Sequence, residues 1–314
     1  MLGGFASGLY AATSAGASPR AGLSASILNL LPVQSAEAGQ EPKPNDGDSV
    51  TVLVMGLDKR PVDDVGDPTR TDSLMVVRIS AKQQTISTLS VPRDLWLPIP
   101  LNPAEPVLER VNAAYMYGMY YGYPGGGPAL TKATLAYNLG IRIDYYVVVD
   151  FETFQRFIDE IGGVDVTLAT ALNDPVFPTG NYGAITINIP AGPQHLDGER
   201  ALWFARSRYQ SSDFSRMERQ QQLGLAIRER LLRFDQLPRL PHLWAEFSGV
   251  VQTDVPLGAA VRWAQAAWSI PRERITTQEL DQEYVIRARV NGDPFALLPN
   301  RERIKVLVGT LFPE

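Results

Sequence analysis

Apolar and polar positions alternate along the chain in segments that predict a regular succession of strands and helices from Ser49 onward. Short apolar runs typical of buried strands lie at 50–55, 73–79, 85–91, 145–149, 164–168, 185–189, 274–280 and 285–290. Helical spacing of apolar residues is found at 113–122, 128–139, 151–161, 197–206, 214–234, 256–269 and 301–311. No internal repeat interrupts this order, so residues 49–314 are predicted to form one domain.

The turn-like residues Ala81 to Gln84 join two of the apolar runs and predict a β-hairpin. A hairpin pairs its strands antiparallel, whereas strands that alternate with helices usually pair in parallel. The sequence therefore predicts an α/β protein with three layers, α/β/α, and a mixed central sheet.

Residues 1–48 differ in composition from the rest of the chain. Residues 1–36 carry a single charge, Arg20, among many Ala, Gly, Ser and Leu residues, and 39–48 is a polar, linker-like stretch. One interpretation is a weak signal peptide with a cleavage-like sequence at 36–38. We prefer the second, a juxtamembrane segment and linker that follows an anchor helix not contained in the chain.

Composition excludes several kinds of chemistry. The chain contains no cysteine and two histidines, His195 and His242, so a disulfide framework, a thiol nucleophile, a thiolate zinc site and a three-histidine metal site cannot form. A net charge of −5 also argues against nucleic-acid binding, which usually needs a basic face. Catalysis would have to use carboxylate and guanidinium groups.

Four short charged segments lie beside predicted strand ends or helix starts, where α/β sheets usually bind ligands. They are Gly56 to Arg60, Arg70 to Ser73, Pro92 to Asp94, and Arg206 to Gln220. One Arg–Asp pair is more often a surface salt bridge of small worth. Four in one domain favour a binding site.

The fourth segment places cations where a helix does not favour them. Asp213 is a suitable N-cap, which puts Arg216 and Arg219 near the first turn, where the helix dipole is already positive. Glu218 could neutralise them. The alternative is a bound phosphate, held by the helix N–H groups and two guanidinium groups.

Two carboxylates, Asp58 and Asp72, are the hard oxygen ligands that magnesium uses together with substrate phosphates. Two aspartates are a weak metal signal by themselves. With the arginine cluster they describe a pyrophosphate site that has a metal on one side and guanidinium groups on the other.

The charged segments and their neighbours resemble the LytR-CpsA-Psr (LCP) family of cell-wall glycopolymer ligases. The matching stretches, within 52–222, are VLVMGLDKR, TRTDSLMVVRI, ISTLSVPRDLWLPIP, RVNAAYMYG, IDYYVVVDF, IGGVDVTL and LDGERALWFARSRYQSSDFSRMERQQQ. The resemblance implies an α/β/α fold, an N-terminal membrane anchor and an extracytoplasmic location. It also implies magnesium-assisted transfer of a phospho-glycan from undecaprenyl pyrophosphate to peptidoglycan.

Carried over residue by residue, the resemblance implies that Asp58 and Asp72 bind the metal. It implies that the pyrophosphate is bound by Arg70, Arg93, Lys132, Arg206, Arg208, Arg216 and Gln220. We add Arg219 to this set, because it lies near the same helix start as Arg216. We expect the catalytic groups to be Arg93, Arg206, Arg216 and one carboxylate, Asp94 or Asp213, that accepts the attacking hydroxyl's proton. Asp94 is preferred.

The resemblance also implies an apolar tunnel that holds the polyprenyl chain. The expected lining is Ala133, Ala136, Leu139, Phe154 and Phe157, although helical periodicity without the resemblance is more typical of an ordinary core. Two other functions stay open, a polyprenyl pyrophosphate hydrolase and a non-catalytic lipid-phosphate-binding regulator.

Overall fold

The computed structural model describes residues 48–58, 69–179, 183–209, 213–233, 240–247 and 251–313. The predicted juxtamembrane segment and linker, apart from Asp48, lie outside the described residues, as do Lys59 and the side chain of Asp213. In the part of the chain that is described, no helix has the length and apolar character needed to span a membrane.

Fourteen strands are found among the described residues. They are β1 Ser49–Leu57, β2 Thr71–Ser80, β3 Thr85–Ser90, β4 Trp96–Ile99, β5 Val107–Arg110, β6 Tyr145–Val149, β7 Val164–Leu168, β8 Leu172–Pro178, β9 Ala184–Ile189, β10 Gly192–Leu196, β11 Gln252–Thr253, β12 Ile275–Glu279, β13 Val285–Val290 and β14 Asp293–Pro299. The α-helices are α1 Ala113–Tyr120, α2 Gly126–Leu139, α3 Phe151–Glu160, α4 Gly198–Arg206, α5 Asp213–Leu231, α6 Leu240–Phe247, α7 Leu257–Ser269 and α8 Arg301–Leu311.

Six strands form the central sheet, in the order β11-β6-β1-β2-β3-β12. Strand β2 pairs antiparallel with both β1 and β3, whereas β6 runs parallel to β1 and β12 runs parallel to β3. The predicted hairpin is thus the β2–β3 pair, and the expectation of an α/β fold with a mixed central sheet is confirmed.

Local sequence explains where the elements form and end. Side chains of β7 alternate strictly between buried and exposed, the period of a strand with one covered face. Helix α3 begins where the Asp150 carboxylate accepts a hydrogen bond from the Thr153 N–H (2.8 Å), a side-chain N-cap. Helix α2 ends at Gly140, whose positive φ of 68° suits a residue without a β-carbon.

Among the described residues, two large hydrophobic clusters and one small cluster contribute to the core. The first joins the central sheet to α2 and α8 through residues such as Leu53, Leu135 and Ile304. The second lies among α3, α4, α5 and β7. Helix α5 reaches both, because Phe214 at its start packs against the first cluster and Leu223 belongs to the second. The small cluster is formed by Ile99, Ala113, Ala114 and Leu130, mainly from α1 and α2.

The residues expected to line a lipid tunnel do not share one wall. Leu139 belongs to the first large cluster, whereas Phe154 and Phe157 pack against the second. Ala133 and Ala136 are half-buried on α2. Helical spacing reports which face of a helix is apolar but not which neighbour that face meets. The tunnel stays a prediction.

The contact between α1 and α2 generates a prediction about stability. A β-carbon on Gly118 would lie 2.6 Å from the Gly126 carbonyl oxygen and 2.7 Å from the Gly127 α-carbon. Because these are backbone atoms that cannot move aside, Gly118→Ala should lower the free energy of unfolding by about 1–3 kcal/mol, the usual cost of overpacking. Urea denaturation measures the change.

Gly309→Ala is the matched control. Gly309 is exposed within α8 and nothing lies within 4 Å of a β-carbon there, so alanine should stabilise the helix by about 0.5–1 kcal/mol. Equal stability changes for the two variants would contradict the close α1–α2 contact.

Candidate active site

The register of the central sheet brings three of the predicted charged segments to one edge. Because β1 and β3 both run antiparallel to β2, they end at the edge where β2 begins. Asp58 directly follows β1, Asp72 is the second residue of β2, and Arg93 follows β3 by three residues. Residues far apart in sequence thus converge on this edge, which is where ligands bind in many α/β sheets.

The Asp72 carboxylate is shared by two arginines. Arg93 Nη1 donates a hydrogen bond to Oδ1 at 2.6 Å, and Arg208 Nη2 donates to Oδ2 at 2.9 Å. Only 21% of the Asp72 side chain is exposed, so these charge-assisted bonds are screened less than a surface pair. Asp72 therefore fixes two guanidinium groups side by side at the sheet edge.

A second carboxylate and a third guanidinium lie alongside. Arg206 Nη2 is 3.6 Å from Asp58 Oδ1. The guanidinium carbon of Arg206 lies 3.8 Å from the centroid of the Phe151 ring, close enough for a cation–π interaction. Since Arg206 is the last residue of α4, its cation also lies where the helix dipole favours positive charge.

These charges open onto a pocket of about 290 Å³. Its wall consists of Asp58, Arg70, Asp72, Arg93, Asp94, Arg110 and Asn112. Five of the seven were predicted from sequence, whereas Arg110 and Asn112 were quoted only within the matching stretch RVNAAYMYG.

Arg110 is held by its surroundings. Its Nη2 donates a hydrogen bond to Asp293 Oδ2 at 2.8 Å, and Nη1 lies 3.6 Å from Asp94 Oδ1. The hydrogen bond to Asp293 is the main reason that the pKa of Arg110 is raised, so the side chain stays cationic. Asp94 is also 3.4 Å from Arg93 Nε and thus lies between two cations on the pocket wall.

Helix α5 carries three more of the predicted residues, Arg216, Arg219 and Gln220, and their surroundings differ. Arg216 is buried, with 3% of its surface exposed. One turn later Gln220 accepts a hydrogen bond from the Ser73 hydroxyl at 2.9 Å, which ties α5 to β2. Arg216 is therefore fixed near the edge where β2 begins.

Arg219 faces another helix end. Its Nε donates to the Phe204 carbonyl oxygen at 2.8 Å, and its Nη2 donates to the Ser207 carbonyl oxygen. These carbonyls at the end of α4 have no partner within that helix. The structure thus engages Arg219 in capping α4 instead of placing it in the pocket wall, and burial lowers its pKa.

Lys132 is not brought to the site. Its Nζ donates to the Asp144 carbonyl oxygen at 2.9 Å and lies 3.3 Å from Asp254 Oδ2. Asp144 precedes β6, so Lys132 lies at the start of that strand, whereas the charged edge is at the strand's other end. Five strand residues span roughly 16 Å, which is too far for direct contact with the pocket.

A carboxyl group that the sequence analysis missed lies at the same edge. Glu279 ends β12 opposite Ser90 of β3, and Gln221 Nε2 from α5 donates to both the Ser90 hydroxyl and the Gln278 carbonyl. Burial, and then the nearby Glu218 and Asp281, raise the pKa of Glu279 to about 7. No sequence motif marks Glu279, because its environment is built from α5 and β12.

Asp58 and Asp72 fit a magnesium ion in number and donor type. Asp58 Oδ1 is buried and lies 3.6 Å from Arg206 Nη2, but it accepts no hydrogen bond from the described residues, so a lone pair remains for an ion at the charged edge. Magnesium usually uses one or two carboxylates together with substrate phosphates. The two arginines on Asp72 leave each of its oxygens one further lone pair.

The fold and the pocket define an α/β domain with a guanidinium-rich sheet edge that suits a phosphorylated ligand. A family model matches residues 29–306, and the chain belongs to the LytR_cpsA_psr family. The resemblance stated from the sequence is thereby confirmed.

Relatives and solved structures agree with this assignment. The regulatory protein MsrR of Staphylococcus aureus (strain COL) is 33% identical over 218 residues, which cover 68% of this chain and 59% of MsrR. The chain thus spans about three fifths of the length of that relative. TagU of Oceanobacillus iheyensis, named a polyisoprenyl-teichoic acid–peptidoglycan teichoic acid transferase, is 31% identical over 74% of this chain and 67% of its own length.

The crystal structure of Bacillus subtilis TagV superposes with a TM-score of 0.67 at 25% identity, covering 85% of this chain and 98% of TagV. A structure of TagT bound to LIIa-WTA gives a TM-score of 0.64 at 23% identity, covering 88% and 94% of the two chains, and shows the shared fold.

The raised pKa of Glu279 predicts how stability depends on pH. A carboxyl whose pKa is about 7 in the folded state and near 4.5 when unfolded binds more protons when folded between those values. Its contribution to stability is present below about pH 4.5 and is lost as pH rises towards 7. The melting temperature of the wild type should therefore fall between pH 5 and pH 7.5. In Glu279→Gln this fall should be smaller.

Glu283→Gln serves as the control, because Glu283 is exposed and pairs with Arg303 at the surface. Wild type, Glu279→Gln and Glu283→Gln are melted across the same pH series. An unchanged slope in the Glu279 variant would show that Glu279 does not titrate in this range.

Proposed function

We propose that the protein transfers a phosphate-linked glycopolymer from a polyprenyl pyrophosphate carrier to peptidoglycan on the outer face of the cell membrane. The observation that carries the proposal is the pocket at the sheet edge, where Asp72 holds Arg93 and Arg208 together beside Asp58 and Arg206. Fixed guanidinium groups in a partly water-excluded site are suited to neutralising charge as it moves between phosphates.

The proposed step balances as one displacement at phosphorus. The acceptor hydroxyl oxygen attacks the phosphorus that carries the glycan, forming a new O–P bond. The bridging P–O bond breaks, and its electron pair stays on the departing polyprenyl phosphate. The hydroxyl proton passes to a carboxylate, for which we propose Asp94 on the pocket wall.

The chain's own residues bind, orient and neutralise. Arg93 and Arg208 are pre-positioned by Asp72, so little reorganisation is needed when phosphate oxygens approach. Arg206 lies beside Asp58 at the end of α4, and Arg216 lies one turn before Gln220, which ties α5 to β2. Magnesium held by Asp58 and Asp72 would add positive charge at the pyrophosphate oxygens.

Similar proteins support the substrate class. TagU is named a teichoic acid transferase, and TagT has been solved with LIIa-WTA. A hydrolase that releases the lipid diphosphate to water would use the same pocket. Supplying peptidoglycan glycan distinguishes the two, because transfer should then outpace hydrolysis.

The name of MsrR, a regulatory protein, favours a second candidate, a non-catalytic binder of lipid phosphates. Such a protein would bind the carrier without needing Asp58 or Asp72. Loss of turnover on substitution of either aspartate would therefore argue for catalysis.

Arg216→Ala and Arg206→Ala are each expected to lower transfer by about 10²–10³, the usual cost of removing one preorganised charge contact. Arg216→Lys should not restore full activity, because an ammonium group cannot form the bidentate fork. Initial rates are measured with a polyprenyl pyrophosphate-linked glycan and purified peptidoglycan.

Arg303→Ala is the matched control, since Arg303 is 54% exposed and pairs with Glu283 away from the pocket. Its rate should equal that of wild type. The proposal for the arginines fails if Arg216→Ala keeps both wild-type turnover and the wild-type melting temperature.

Asp72→Asn should remove activity together with its dependence on magnesium. The amide is a poor magnesium ligand, and its uncharged oxygen can hold only one of the two guanidinium groups firmly. Rates are titrated against magnesium for wild type, Asp72→Asn and Asp165→Asn, the last being an exposed aspartate that pairs with His195. A curve for Asp72→Asn that overlays the wild-type curve would exclude Asp72 as a ligand.

A further inference from the structure

One uncharged surface adjoins the charged pocket. Between Arg110 and Lys132 the sequence contains no Asp, Glu, Lys or Arg, and this stretch forms α1, the following turn and the start of α2. The part facing solvent is apolar and largely aromatic, because Tyr120 is 78% exposed, Tyr121 59% and Met119 57%. Contiguous exposed apolar patches of this kind commonly mark binding surfaces.

The half-buried Tyr117 and the exposed Tyr120 and Tyr121 form a continuous surface, which we call the tyrosine shelf. The ring centroids of Tyr117 and Tyr121 are 5.8 Å apart, and those of Tyr120 and Tyr121 are 4.9 Å apart, both edge to face. This spacing is typical of favourable aromatic pairs. The rings therefore support one another instead of pointing independently into water.

The backbone beneath the shelf is closely fitted. Gly118 packs directly against the backbone of Gly126 and Gly127. The Tyr123 N–H donates to the Gly118 carbonyl, and the Gly126 N–H donates to the Tyr123 carbonyl, at 3.0 and 2.7 Å. The shelf is thus presented by a pre-organised turn, which lowers the entropic cost of binding a ligand on it.

The shelf continues into the pocket at the other end of α1. Asn112, directly before α1, lines the pocket, and its N–H donates to the Arg93 carbonyl at 3.3 Å. Tyr117 is close enough to Arg70 for the cation to act on its pKa, although burial dominates and raises that pKa. Eight helical residues span about 12 Å. A short oligosaccharide lying on the shelf would therefore extend to the pocket where we propose that the pyrophosphate binds.

Asn112 has an unused hydrogen-bonding group. An asparagine before a helix usually caps it, yet Asn112 has helical φ and ψ and makes no side-chain cap. Asn112 is 4% exposed, and its Oδ1 is buried without a hydrogen-bond partner among the described residues. A buried polar atom left unpaired is costly, and such groups call for a functional explanation.

We propose that Asn112 and the tyrosine shelf form the acceptor subsite, where a glycan strand of peptidoglycan lies with its sugar rings against the tyrosines. This inference rests on the proposed transfer reaction. Asn112 Oδ1 accepts a hydrogen bond from a hydroxyl or amide N–H of the acceptor sugar beside the attacking hydroxyl. Asn112 therefore orients the sugar, while the attacking hydroxyl's own proton goes to Asp94.

The chemistry of the shelf favours a glycan strand over the other surfaces available. Phenol rings offer flat apolar faces together with hydroxyl groups that can hydrogen-bond to sugar hydroxyls. Anionic lipid headgroups are attracted by clustered Lys and Arg, and the stretch from 111 to 131 has none. A phosphate-rich polymer is also anionic and would need cations to bind, so the uncharged shelf does not suit it either.

Sedimentation with peptidoglycan sacculi freed of attached polymers tests the shelf directly. The full chain should bind, and the double variant Tyr120→Ala/Tyr121→Ala should bind about tenfold more weakly. Val306→Ala is the control, because Val306 is an exposed apolar residue (73%) on α8, and it should bind as wild type does. Equal binding by the double variant overturns the subsite, as does shelf-dependent binding to anionic lipid vesicles in place of sacculi.

Asn112→Ala and the similarly shaped Asn112→Leu test the orienting role. Because the Asn112 side chain makes no hydrogen bond with the described residues, neither substitution removes one, and the melting temperature should stay the same or rise. The KM for the acceptor should increase about tenfold, the effect of one hydrogen bond. A lower melting temperature with an unchanged acceptor KM would make Asn112 structural and overturn its part of the proposal.

The two proposals fail in different ways. Absence of transfer by wild type, with sacculus binding that still depends on the tyrosines, would refute the proposed reaction and leave the shelf as a glycan-binding surface. If wild type transfers normally, but substituting the tyrosines changes neither the KM for the acceptor nor the binding to sacculi, only the acceptor subsite is refuted.

Discussion

The site depends on one shared carboxylate. Asp72 accepts from Arg93 and Arg208 at once, and without it two like charges would repel each other at the sheet edge. Position explains why an aspartate stands there: β2 begins between the ends of β1 and β3, so its second residue is central to the edge. The antiparallel β2–β3 hairpin is therefore a requirement of the charged pocket as well as of the core.

Much of the fold follows from the sequence because long apolar patterns persist whatever surrounds them. The hairpin, the helix from Phe151 and the mixed sheet were predicted on that basis. Short strands such as β4 and β5 were not, since four residues carry too little periodicity to identify a strand. Their pairing is decided by tertiary contacts, including the ion pair between Arg110 and Asp293.

Arginines on one helix show the limit of sequence reasoning about the site. Arg216 and Arg219 are three residues apart, and both were expected to bind the pyrophosphate. The end of α4 lies within reach of Arg219, which donates to the Phe204 and Ser207 carbonyls. Glu279 was missed for a related reason, because its pKa is raised mainly by burial, and then by Glu218 of α5 and by Asp281.

The small cluster of Ile99, Ala113, Ala114 and Leu130 packs the start of α1 against α2, beside the first large cluster, to which α2 also contributes Leu135 and Leu139. Tyr120 and Tyr121 are exposed, so substitutions there would leave this packing intact. In evolutionary terms, exposed positions of this kind would let members of one lineage diverge in the proposed glycan surface while the phosphate chemistry is inherited unchanged.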